Sequence, residues 1–154
     1  MAIRDIIGKA VTLTGNDEVG YGSEGNAVFG VVSQVEKAGS TSVYPLGFQG
    51  AKGGATFKLA AATVSALDPN ASGDYVVTVE FGQMIENVPI TATSGKQPSA
   101  GGAVAVDGSG ALVKLDTFAV ATSAATVVPL TAVATAVDKT AKTATIRILL
   151  SRGG

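Results

Sequence analysis

The 154-residue sequence contains no cysteine, no histidine and no tryptophan. Without cysteine there are no disulfides, no thiolate nucleophile and no cysteine-based zinc site. Without histidine the commonest general base and the commonest metal ligand are missing as well. Aromatic residues make up 5% and charged residues 15%, the latter against a usual share of about 25%. The hydrophobic 46% is therefore dominated by thin side chains, alanine and valine, which suit pleated sheet better than they suit a core of large aromatic plugs. So little charge on a chain of this size also suggests that part of its surface is covered by a partner.

Charge of one sign is missing too. Eleven basic and 12 acidic residues give a formal net charge of −1. They form no basic block, so binding to nucleic acid through phosphates has no electrostatic footprint. No run approaches the ~20 apolar residues of a membrane helix. Met1–Ala10 carries Arg4, Asp5 and Lys9 and lacks the apolar core of a signal peptide. The sequence-level expectation is a chain made in the cytoplasm, with neither nucleic acid nor membrane as a partner.

What is present reads as strands punctuated by turns. Residues 1–26 read as an N-terminal arm. Ile3, Ile6 and Ile7 suit one side of a short helical turn, and a polar loop follows from Gly15 to Asn26. Such an arm is expected to pack on the main body or on a neighbouring subunit. Residues 27–154 read as a single β domain. Ala27–Glu36 is the first clear strand, with Gly30 marking a bulge or a close backbone approach. Residues 42–55 read as a loop with room for a short strand. Phe57–Leu67 fits helix and strand about equally, and Asp68-Pro69 ends it. Tyr75–Phe81 alternates, with Val77, Val79 and Phe81 on one parity. Met84–Ala92 continues as a strand, and Pro89 places it at an edge or a bulge.

Two hairpins follow. Ala103–Val106 and Ala111–Leu115 flank Asp107-Gly108-Ser109-Gly110, whose Asp-Gly step supplies the positive φ of a tight turn. Ala132–Val137 and Thr143–Leu150 flank Asp138–Lys142. In the last strand Ile146, Ile148 and Leu150 face one way. The expected fold is all-β: an antiparallel β-barrel or β-sandwich, β-tulip-like, with an extended N-terminal arm and at most one short helix. No alternation of strand and helix supports a doubly wound sheet.

Chemistry-bearing candidates are few. Gly20-Tyr21-Gly22-Ser23-Glu24-Gly25 matches a dinucleotide fingerprint in letters, but that motif needs a strand before it and a helix after it. Here a polar loop precedes it and a β-branched run follows it, and a plain loop is the better reading. Ser109 lies between two glycines without a GxSxG elbow or a histidine to activate it. Asp74, Glu80, Glu86, Asp107, Asp116 and Asp138 are scattered over strand ends and turns, where carboxylates usually serve the turn rather than a glycosidase dyad. Asp107-Gly-Ser-Gly lacks the further ligands of a calcium loop. Asn70-Ala71-Ser72 is a glycosylation sequon only in a secreted chain. The chain is accordingly read as a structural or binding component, not an enzyme. No catalytic, cofactor-binding or metal-ligating residue is assigned.

Three segments carry a resemblance: YVVTVEFGQMIENVPITA (75–92), SAGGAVAVDGSGALVKL (99–115) and VATAVDKTAKTATIRILL (133–150). The Val88-Pro89 step, the Gly101-Gly102 linker into a strand that ends in Asp107-Gly108, and the terminal Val137-Asp138 to Lys142-Thr143 hairpin resemble the capsid decoration, or cement, proteins of tailed bacteriophages. The likeness covers roughly the C-terminal half and rests on turn chemistry and strand pattern. It implies a β-barrel or β-tulip body on the outer surface of an icosahedral capsid. There it would bridge neighbouring major capsid protein subunits and stabilise the shell, often as a homotrimer at local three-fold positions. Two other readings stay open: another virion β-protein, such as a tail-tube or head-completion subunit, and a carbohydrate-binding or adhesion module. The absence of tryptophan speaks against the last.

Overall fold

The structure is a computed structural model, and it describes residues 2–38, 54–82, 84–115 and 132–148. It is all-β, as the strand pattern led one to expect: ten strands and one short helix are assigned among the described residues. β1 (Ala10–Gly15), β2 (Glu18–Gly20), β3 (Gly30–Lys37), β4 (Gly54–Leu59) and β5 (Tyr75–Glu80) close into a barrel in the order β1-β2-β4-β5-β3. All its pairings are antiparallel except β2 with β4. Closure leaves the barrel no free sheet edge.

The barrel's core follows the parity of β5. Tyr75, Val77 and Val79 are buried, together with Val11, Val19, Val32, Leu59 and Val64. Fully burying an aliphatic side chain of this size contributes about 1.5–3 kcal/mol. Three phenylalanines cluster against this core. Phe29 meets Phe57 edge-on at 5.1 Å between ring centroids and Phe81 at 5.3 Å. Gly30 is a site of close approach rather than a bulge. A Cβ there would meet Val79 Cγ1, and would lie 2.7 Å from the Glu80 carbonyl oxygen. The register shift between β3 and β5 falls further on, between Val32 and Gln34.

The expected N-terminal arm, 1–26, packs on the main body, but it is not merely an arm, because Ala10–Gly15 and Glu18–Gly20 are strands of the barrel itself. A single 3-10 turn, Ala2–Ile6, sends Ile3 and Ile6 into the core, and Ile7 stays outside. β1 and β2 then form a hairpin through Asn16-Asp17, whose Asp17 has a φ of 54°. The Gly15–Asn26 stretch looked like a loop because β2 is only three residues long. A strand that short shows no alternation, yet Val19 is fully buried and its carbonyl accepts from Ala60 N.

Phe57–Leu67, compatible with helix or strand, holds both. β4 runs to Leu59, its backbone paired with β2 on one side and β5 on the other. Beyond Ala60 no strand partner remains, and Ala61–Leu67 closes its own hydrogen bonds as α1. The Asp68 amide donates to the Val64 carbonyl at the helix end, before Pro69.

The remaining strands form a second module. β6 (Ile85–Pro89), β9 (Ala132–Asp138) and β10 (Thr143–Ile148) make a sheet in the order β6-β10-β9. Pro89 thus sits on an outer strand of that sheet. β7 (Val104–Val106) and β8 (Leu112–Lys114) form the first closing hairpin. Single bridges tie this hairpin to the sheet on both sides, Ala103 to Val133 and Ile90 to Leu112, and Ala27 to Ala105 ties it to the chain entering β3. Its core is Val88, Ile90, Val104, Val106, Leu112, Ala144, Ile146 and Ile148, joined by Ala10, Val28 and Val31 from the barrel's side. The alternation of the last strand holds as far as it is described, since Ile146 and Ile148 are buried and Arg147 is exposed. Leu149 and Leu150 lie outside the described residues, as does most of the 42–55 segment.

Candidate functional site

The sequence nominates side chains mainly in turns, and the structure shows what holds them there. Asp107 opens the β7–β8 turn. Its Oδ1 accepts from Ser109 N at 2.7 Å, from Ser109 Oγ at 2.8 Å and from Ala111 N at 3.1 Å. The Ser109 hydroxyl is therefore a donor to a carboxylate within its own turn. Asp138 does the same job in the β9–β10 turn, accepting from Thr140 N and Ala141 N at 3.0 Å each. These are Asx turns, in which a short carboxylate replaces a backbone acceptor.

The other carboxylates are not drawn into one place by the topology. Asp74 is exposed ahead of β5, and its backbone carbonyl accepts from Ala38 N. Glu80 ends β5, and Glu86 is exposed on β6 beside Asn87, which has a φ of 61°. Asp116 lies outside the described residues. Asn70, in the sequon, sits in an exposed turn after α1, where its amide donates to Asp68 Oδ1 at 3.0 Å. Among the described residues no group of three or more Asp or Glu is gathered in a way that suits a metal ion.

The Gly20–Gly25 stretch is the most built of the candidate regions. The polar loop expected ahead of it is corrected to a strand, β2, held by pairing with β1 on one side and β4 on the other, but an isolated bridge at Ala27 and then β3 come after it, not a helix. Three of its amides are already committed. Tyr21 N donates to Thr63 Oγ1 at 3.0 Å, Ser23 N to Asn26 Oδ1 at 2.9 Å, and Gly25 N to the Val106 carbonyl at 2.9 Å. A phosphate cradle needs those donors free, so the arrangement is that of a structural loop.

This loop clamps the barrel to the second module. Val106 N donates to the Asn26 carbonyl, and Ala10 N donates to the Gly110 carbonyl at 2.8 Å. Lys96 Nζ meets Glu24 Oε2 at 3.0 Å across the same seam. Gly110, at a φ of +96°, lies under the Tyr21 ring. A Cβ added there would come within 2.8 Å of Tyr21 Cε1 and 3.0 Å of Lys9 Cβ. Tyr21 itself is half-buried. Burial pushes its hydroxyl above the ordinary tyrosine pKa, and the carboxylates of Asp5 and Asp107 add to the effect.

Beside the loop runs an open groove of about 550 Å³, lined by Thr14, Glu18, Tyr21, Ser23, Ala62 and Thr63 among others. Thr14 Oγ1 donates to the Glu18 carboxylate at 2.9 Å. The loop's partners Asn26 and Thr63 were not legible in sequence. Thr63 acts across 42 positions of chain, and no local pattern announces such a pairing.

The chain matches no protein-family model, no curated protein and no solved structure. No helix among the described residues is long and apolar enough to cross a membrane.

Proposed function

We propose that this chain is a virion structural protein of a tailed bacteriophage. In this reading it binds the outer surface of the icosahedral capsid, bridges major capsid protein subunits and stabilises the shell by binding rather than by catalysis. One observation carries the reading. The two hairpins that bear the resemblance, around Asp107–Gly110 and Asp138–Lys142, each have a turn pinned by its own carboxylate, and both pack their strands into one continuous core. The low charge of the chain agrees with a surface made to be covered.

The mechanism is contact and avidity. Each copy buries modest area against several shell subunits, and an oligomer, with a trimer favoured, multiplies these contacts. A closed barrel is suited to this task because it leaves no free strand edge to pair with the wrong neighbour.

Co-sedimentation tests the proposal. Purified protein is mixed with mature shells of its own phage from which the protein is absent, and the temperature at which the shells rupture is recorded. The expected result is saturable pelleting with the shells and a raised rupture temperature. Protein that stays in the supernatant with those shells overturns the proposal.

A further inference from the structure

We draw no further inference here: the strongest candidate, the open groove between the Gly20–Gly25 loop and α1, is a strip of alanine methyls beside the Glu18 carboxylate, and nothing in the structure shows what covers it.

Discussion

The barrel and the hairpin module each bury an apolar cluster of their own, by different means. The barrel uses closure: five strands hydrogen-bond in a ring around Ile3, Ile6, Leu59 and a row of valines, with an aromatic cluster against them. The hairpin module uses strands as short as three residues, with alanine, valine, isoleucine and Leu112 inside. Strands that short hold few ladder bonds, so their register depends on the turns and on single bridges to neighbours. The comparison teaches that precision in a small β structure has two sources. One is cooperative and distributed around a ring. The other is local and concentrated in a few aspartates and glycines.

The largest expected effects test whether the two regions unfold together. Ile6→Ala empties the barrel core and Ile146→Ala empties the module core, both at fully buried positions. Each costs about 2–5 kcal/mol. Because Ala10, Val28 and Val31 serve the module core from the barrel's side, both variants are expected to shift one common urea transition, followed by near-UV circular dichroism and by amide exchange in β10. A two-step transition in Ile146→Ala, with barrel amides still protected after the first step, breaks the comparison into two independent units.

Next come the glycines, one inside the barrel and one at the clamp. Gly30→Ala drives a methyl against Val79 and the Glu80 carbonyl. Gly110→Ala adds a left-handed backbone penalty to a clash with Tyr21. Each is expected to lower stability by about 1–3 kcal/mol. The two differ in kind, however. Gly110→Ala should loosen exchange at the Ala10 and Gly25 amides ahead of global unfolding, whereas Gly30→Ala should weaken the whole ring evenly. Equal local protection in both variants removes the clamp's special role.

The turns should rank by their hydrogen bonds. Asp107 accepts from two amides and a hydroxyl, Asp138 from two amides. Asp107→Ala is expected to cost about 1–2 kcal/mol and Asp138→Ala about 1 kcal/mol, read as shifts in thermal midpoint. A reversed ranking shows that packing around the turn, not the carboxylate, sets register.

The smallest effect lies in alkali. Tyr21 is protonated in both folded and unfolded chains below about pH 10. Above that, the unfolded chain releases its proton first, because the folded value is raised. Stability therefore falls as pH rises through this range. Tyr21→Phe is expected to change little at pH 7 and to flatten the decline above pH 10. An unchanged alkaline slope shows that Tyr21 is not its source.

Several features were legible in the residues alone. The alternation of Tyr75–Phe81, which the structure carries as a strand to Glu80, the Asp-Gly turn, the last hairpin and the edge-or-bulge reading of Pro89, which falls on an outer strand, all came from local chemistry. Gly30 was recognised as special, and the structure decides for close approach. The N-terminal hairpin was not legible, because a three-residue strand such as Glu18–Gly20 has too few positions to show a period. Nor was the split of Phe57–Leu67, since propensity there is nearly neutral.

By itself, then, the sequence determined an all-β chain with carboxylate-pinned turns, because alternation and turn chemistry act over two to four neighbouring residues. Only the tertiary structure decided that residues 2–20 complete a barrel, that Ala60 divides strand from helix, that Tyr21 N finds Thr63 on α1, and that Asn26 and Gly110 join two regions through their carbonyls. Those outcomes depend on which backbone groups find partners dozens of residues away. A buried N–H or C=O must be satisfied wherever the fold brings an acceptor or donor to it.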